Sequence, residues 1–201
     1  MRYGMVIDLK RCVGCNSCTL ACRAEKGTPA GITYNRVAKY EVGKYPAARM
    51  EFLPMPCMHC QEPACLEVCP TGATYRRDDG IVLIDHDKCV GCRYCVLACP
   101  YDARQSLKRI DNYYGAGTTT PYEALKQGDF DKGTTVKCDF CVARVDKGRL
   151  PACVETCPAT ARYFGNLDDP ESEVSKLITF NHGMVLKEEL GTKPSVYYIK
   201  G

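Results

Sequence analysis

The sequence predicts an α+β fold assembled from small repeated halves, and three observations predict it. Sixteen cysteines in 201 residues fall into four groups of four. The chain resembles itself at two separate places. Short β-branched runs alternate with cysteine-bearing segments that have room for only a turn or two of helix.

The groups are Cys12, Cys15, Cys18 and Cys22; Cys57, Cys60, Cys65 and Cys69; Cys89, Cys92, Cys95 and Cys99; and Cys138, Cys141, Cys153 and Cys157. The first and third read C-x2-C-x2-C-x3-C. That run wraps cubane iron–sulfur centres in bacterial ferredoxins, where the fourth cysteine serves a neighbouring cluster. The second and fourth keep C-x2-C in front and C-x3-C behind, with longer spacers. At four thiolates per cubane, sixteen suffice for four [4Fe-4S] clusters.

Taken in chain order, Met5-Val6-Ile7-Asp8 reads as a strand feeding the first group, and Val82-Leu83-Ile84-Asp85 as its repeat before the third. The segment Pro63-Ala64-Cys65-Leu66-Glu67-Val68-Cys69-Pro70 recurs as Pro151-Ala152-Cys153-Val154-Glu155-Thr156-Cys157-Pro158. The first and third groups are thus related, as are the second and fourth. Each C-x3-C segment is expected to form a short helical turn. Pro70, Pro100 and Pro158 bias the preceding cysteine out of helical geometry, turning its thiol towards the adjacent centre. Arg23 stands at that place after Cys22, so a different local geometry is expected there. Between the first two groups, Ile32-Thr33-Tyr34 and Met50-Glu51-Phe52-Leu53 read as strands around Gly43 and Pro46. Residues 100–137 form a long insert rich in Tyr, Gly and Thr, a candidate docking loop. Asp169 and Pro170 predict an N-cap and first helical position, opening a helix to about Phe180. Ser195-Val196-Tyr197-Tyr198-Ile199 predicts a closing strand.

Bulk properties exclude several function classes. The formal charge of +3 counts every cysteine as neutral. Four cubanes at roughly −2 each would bring it to about −5, which removes the basis for a nucleic-acid reading. Arg11, Lys88 and Lys137 each precede the first cysteine of a group, where a cation would raise a cluster's potential. Disulfide frameworks belong mainly to short secreted chains, and Met1-Arg2-Tyr3-Gly4 opens with no apolar signal region. Zinc knuckles do not use the C-x2-C-x2-C-x3-C run. No apolar stretch reaches transmembrane length, so a membrane is expected to be reached only through a partner. There are three histidines, of which His59 lies between two ligands while His86 and His182 read as surface residues. No G-x-G-x-x-G or P-loop is present, and no catalytic constellation is expected.

With these motifs in place, the chain resembles the four-cluster, ferredoxin-like electron-transfer subunits of molybdopterin oxidoreductases in the dimethyl sulfoxide reductase superfamily. The likeness runs from Met5 to Tyr198. Cys57-Met58-His59-Cys60, the Pro151–Pro158 segment and Gly165-Asn166-Leu167-Asp168-Asp169-Pro170 are similar to the small subunits of polysulfide, thiosulfate and arsenate respiratory reductases.

Sequence symmetry alone permits two pairings of the groups. The resemblance implies that the first pairs with the fourth, as a ferredoxin-like unit of residues 1–56 plus 138–201. The second then pairs with the third, as a unit of residues 57–99, with 100–137 inserted. It further implies four ligand sets: Cys12, Cys15, Cys18 and Cys157; Cys22, Cys138, Cys141 and Cys153; Cys57, Cys60, Cys65 and Cys99; and Cys69, Cys89, Cys92 and Cys95.

The expected function is therefore relay of single electrons, without catalysis by this chain, in anaerobic respiration. The implied partners are a molybdenum or tungsten catalytic subunit and a quinone-linked membrane subunit of a reductase for a sulfur or arsenic oxyanion. Export to the periplasm with the catalytic subunit is expected, with a cytoplasmic location as the alternative. Two other readings stand beside it. Tyr75–Asp85 and Gly191–Tyr198 also resemble the small subunits of soluble phenol hydroxylases and transhydroxylases, although the transhydroxylases lack some of these cysteines. A free polyferredoxin is the third.

Overall fold

The computed structural model describes residues 1–115 and 118–200. Ala116 and Gly117, within the expected docking insert, and Gly201 lie outside the described residues. The fold is α+β, with short elements around a core that includes cysteine side chains.

The main sheet joins the two ends of the chain. Strand β1 (Tyr3–Asp8) is central; β8 (Arg162–Asn166) pairs with it antiparallel and β9 (Val196–Ile199) pairs parallel on its other side. Met5, Val6 and Ile7 are all buried, which explains a continuous apolar run where a half-exposed strand would alternate. Helix α7 (Glu173–Phe180) covers the sheet through Val174 against Val6 and Ile199. Strands β2 (Arg36–Val42) and β3 (Arg49–Met55) form a long hairpin with Arg36 opposite Met55 and Val42 opposite Arg49. Two shorter ribbons are β4 (Thr74–Arg76) with β5 (Val82–Ile84), and β6 (Arg104–Ser106) with β7 (Thr135–Lys137).

Each C-x3-C segment carries a helix: α1 (Ser17–Lys26), α2 (Ala64–Glu67), α3 (Tyr94–Ala98) and α6 (Ala152–Glu155). Three of them are one turn or little more, and each is followed by a Cys-Pro step. Cys99 ends α3 in extended geometry, as a residue before proline must. Helix α1 has ten residues because Arg23 lets it continue until Gly27 caps it in the left-handed region, its N–H donating to Arg23 O at 2.8 Å.

Three expectations are corrected. Ile32-Thr33-Tyr34 is not a strand: Thr33 N–H donates to Gln105 Oε1 and Thr33 O accepts from Gln105 Nε2, so a side-chain amide replaces a strand partner. The Asp169 cap is displaced by three residues. Ser172 caps α7 by accepting from Ser175 N, while Asp169 Oδ1 accepts from Glu171 N in the turn before it. Residues 100–137 are more than a loop, holding β6, β7 and helix α4 (Pro121–Gln127), with the one-turn helix α5 (Val142–Val145) following β7. A capping box closes α4, with Thr120 and Glu123 bonded reciprocally. The helix lies on the end of α1, where Tyr122 OH donates to Ala24 O and Lys126 Nζ to Glu25 O.

A candidate iron–sulfur site

None of the sixteen cysteines is paired in a disulfide. After β1, the loop through Cys12, Cys15 and Cys18 curls because Gly14 and Asn16 both adopt left-handed backbone. A Cβ at Gly14 would overlap the Phe52 ring, so glycine lets the loop pass close beneath the hairpin. The loop after β5 repeats the device, with Gly91 and Arg93 left-handed and Gly91 set against the Gly133 carbonyl.

These loops wrap hollows. One is lined by Cys12, Cys15, Cys18 and Cys157, with Ile7, Val37 and Arg162. A second is lined by Cys57, Cys60, Cys65 and Cys99, with His59, Tyr101 and Arg104. A third is lined by Cys69, Cys89, Cys92 and Cys95, again with Arg104. The remaining thiols, Cys22, Cys138, Cys141 and Cys153, are all buried and lie within charge-interaction range of one another. Cys57 flanks this interior group from the second hollow.

The donor chemistry fits a multi-iron group. Burial pushes the Cys22 and Cys138 thiols far up, and neighbouring thiols push them further. Burial likewise takes Cys60 up to about 12 and Cys141 up to about 11. Four thiolates cannot share such a space without positive charge between them, which iron would supply. Among the described residues no three His, Cys, Asp or Glu side chains converge tightly enough to hold one ion. The thiols surround spaces instead of meeting at a point, which suits a cubane better than a single zinc. At the outer hollows burial still raises Cys12, but two thiols ionise more easily than usual. Ser17 hydrogen bonding lowers Cys15, and at Cys69 the Thr74 and Thr71 hydrogen bonds outweigh the effect of burial.

The cations of the sequence reading separate. Arg11 is exposed and donates to Tyr163 OH at 2.7 Å, and exposed Lys88 pairs with Asp85 at 2.9 Å. Lys137 is buried, its Nζ donating to Cys138 O at 2.7 Å and also to Val82 O. Sequence reasoning missed three other cations. Lys26 sits beside the interior thiols; burial works against its charge, yet Asp139 at 2.7 Å holds its pKa above the ordinary value. Arg104 and Arg162 are deeply buried between thiol groups. The signal that finds them is a repeat, Cys-Pro-x-x-Ala-Arg, at 99–104 and 157–162.

His59 is buried where the second hollow meets the interior group. Its Nδ1 accepts from Val82 N at 3.1 Å, and its ring stacks on Phe140 with centroids 3.7 Å apart. Burial, with Lys137 and Arg104 nearby, holds its pKa well below the ordinary value, so the imidazole is neutral. His182 is exposed, and His86 is half-buried against Thr134.

Comparison with known proteins agrees with this chemistry. Models of the 4Fe-4S dicluster domain match residues 11–73, 48–113 and 105–167. The chain is 46% identical to a selenate reductase subunit of Mesobacillus selenatarsenatis, over 99% of its own length and 72% of that protein's. It is 45% identical to the putative dimethyl sulfoxide reductase iron-sulfur subunit of Halobacterium salinarum, covering 99% and 79%. It is 40% identical to the arsenate respiratory reductase iron-sulfur subunit ArrB of a Shewanella species, covering 100% and 97%. With glycine-turned loops, quartets of thiols and this likeness along its whole length, the chain belongs to the 4Fe-4S dicluster family, among the iron–sulfur electron-transfer subunits of molybdopterin reductases.

Proposed function

We propose that the chain holds four [4Fe-4S] clusters and passes single electrons along them in one line. The ligand sets are Cys12, Cys15, Cys18 and Cys157; Cys22, Cys138, Cys141 and Cys153; Cys57, Cys60, Cys65 and Cys99; and Cys69, Cys89, Cys92 and Cys95. The observation that carries this reading is the gathering of four thiols, from distant segments of the chain, around each of three hollows, with the fourth quartet in the interior. When bound, the clusters supply one-electron carriers. The chain's own residues hold them, exclude water from the middle and leave the two ends open.

Adjacency supports the order. Arg162 lies between the Cys12 and interior quartets, Cys57 flanks Cys138, and Arg104 lines both remaining hollows. Cys15 and Cys92, at opposite ends of that series, are exposed. Exposed Val13 and Leu20 lie around the first end, and Val90, Tyr94 and Leu97 around the second. These apolar rims suit two docking partners. The sheet that β1 shares with β8 and β9, and the packing of α1 on α6, support a unit of 1–56 with 138–201. The β4–β5 ribbon and the packing of α2 on α3 support one of 57–99.

One partner is a molybdopterin catalytic subunit, and the other a quinone-linked membrane subunit. The reaction served is anaerobic reduction of a sulfur, selenium or arsenic oxyanion, on the likeness to selenate, arsenate and tetrathionate reductase subunits. Among the described residues no helix is long and apolar enough to cross a membrane. A periplasmic site, reached by export with the catalytic subunit, follows from the family reading, and cell fractionation tests it.

Iron analysis of anaerobically purified protein should give about sixteen irons per chain at four per cubane. Twelve or fewer in fully loaded protein would overturn the assignment. Neighbouring reading frames for a twin-arginine catalytic subunit and a multi-span protein would support the membrane circuit. A lone soluble molybdoenzyme gene would favour the phenol hydroxylase type, and neither would favour a free polyferredoxin.

A further inference from the structure

The two hexapeptides Cys99-Pro100-Tyr101-Asp102-Ala103-Arg104 and Cys157-Pro158-Ala159-Thr160-Ala161-Arg162 place their arginines alike. Arg104 opens β6 and Arg162 opens β8, and each is only 3% exposed. Among the described residues neither guanidinium has a carboxylate within ion-pair distance. Arg162 finds neutral acceptors at Asn35 Oδ1 (2.9 Å) and Met5 Sδ (3.6 Å), and reaches Cys153 Sγ at 3.6 Å. Arg104 donates to Thr74 Oγ1 at 3.0 Å, but its Nε and Nη2 are buried with no protein partner. A buried cation with idle donors needs anionic charge beside it. The charge available is thiolate sulfur. Arg104 lines the Cys57 and Cys69 hollows together, and Arg162 lines the Cys12 hollow while touching the interior quartet.

We propose that Arg104 and Arg162 are paired tuning residues, each placing one permanent positive charge and several N–H donors between two clusters so that both are easier to reduce. The proposal rests on the four-cluster reading above. A cluster gaining an electron gains negative charge, so a fixed cation beside it favours the reduced form and raises its potential. A neutral replacement therefore lowers it. Because one guanidinium faces two quartets, the effect is confined to pairs.

The test is potentiometric titration followed by electron paramagnetic resonance, on the full chain in its native complex, with iron counted on every sample. In Arg104→Gln two midpoint potentials should fall while the other two stay at wild-type values. In Arg162→Gln the complementary two should fall. Arg104→Lys, which keeps the charge but loses the fork of donors, should shift the first pair by less. Fully loaded variants with four unchanged potentials, or with all four moved together, would overturn the proposal while leaving the cluster assignment intact. Wild-type protein with too few irons would overturn the assignment itself. Should Arg104→Gln load poorly, fully loaded Arg104→Met, which is also neutral, decides: a fall confined to one pair supports the proposal, and no shift overturns it.

Discussion

The outer and interior thiol quartets are built from the same residue in opposite surroundings. Around the Cys12 and Cys69 hollows, loops with left-handed glycines leave Cys15 and Cys92 exposed. In the middle, Cys22 on α1 is buried together with Cys138, Cys141 and Cys153, and the Lys26–Asp139 ion pair lies beside them. A carrier that exchanges electrons with another protein must come close to its surface, whereas a relay in the middle has no such need. Burial there strengthens every charge interaction, so the interior quartet depends more on its metal and on its packing than the outer ones do.

Replacing one cysteine in each place tests this difference most severely. Cys15→Ala should cost about four irons, one cubane's worth, and leave the remainder of the fold intact. Cys138→Ala should cost a similar number and also destabilise the chain by on the order of 3–5 kcal/mol, as when one partner of a buried charged group is removed. Iron analysis with thermal melts by circular dichroism checks both, and equal melting of the two variants would break the comparison. Next comes Phe140, fully buried, stacked on His59 and edge-on to Phe164 where the interior quartet meets the Cys57 hollow. Phe140→Ala should lose about 3–5 kcal/mol in urea unfolding, the range for a large aromatic removed from a core.

Much of this contrast was legible in the sequence, and the remainder was hidden for identifiable reasons. Cysteine spacing announces metal chemistry because few other folds require it. Met5–Asp8 and Val82–Asp85 were readable as strands because their apolar runs are uninterrupted. Strand β2 escaped because Lys39, Tyr40 and Glu41 are exposed and give no apolar face. Ile32–Tyr34 misled because Ile32 and Tyr34 are buried without strand pairing, the backbone of Thr33 between them being served by Gln105. The nesting of the four groups could not be read from spacing, which allows two pairings; only the family likeness chose between them. Arg104 and Arg162 went unseen because 27 lysines and arginines offer no contrast. Their repeat becomes meaningful once burial singles them out.

The two outer loops can themselves be set against each other. Gly14 and Gly91 have almost the same backbone, with φ of 64° and 66°. Any side chain there meets left-handed strain of about 1–2 kcal/mol. A Cβ at Gly14 would press on the Phe52 ring, which can shift with its hairpin, whereas at Gly91 it would press on the Gly133 carbonyl. Gly91→Ala should therefore destabilise by about 2–3 kcal/mol and Gly14→Ala by nearer 1–2 kcal/mol. The same variants should loosen the Cys92 and Cys15 quartets respectively, seen as faster iron release to a chelator. Equal release would mean that the rigid carbonyl adds nothing beyond the backbone strain.

The smallest effect tests whether the interior is protected from outside. Helix α4 lies across the end of α1, and its position depends on the Thr120–Glu123 box, since Glu123 also accepts from Tyr113 N at 2.9 Å. Those bonds hold the Glu123 carboxylate below its usual pKa, so the box is intact at neutral pH and is lost only when acid protonates it. Thr120→Ala should cost about 1 kcal/mol. Hydrogen exchange should quicken in α4 and at the end of α1, and stay unchanged in the Cys12 and Cys89 loops. Faster iron release from the interior quartet alone would make α4 its outer wall. Uniform release would mean that α1 alone shields it, and that the interior is distinguished by its thiols and not by its covering.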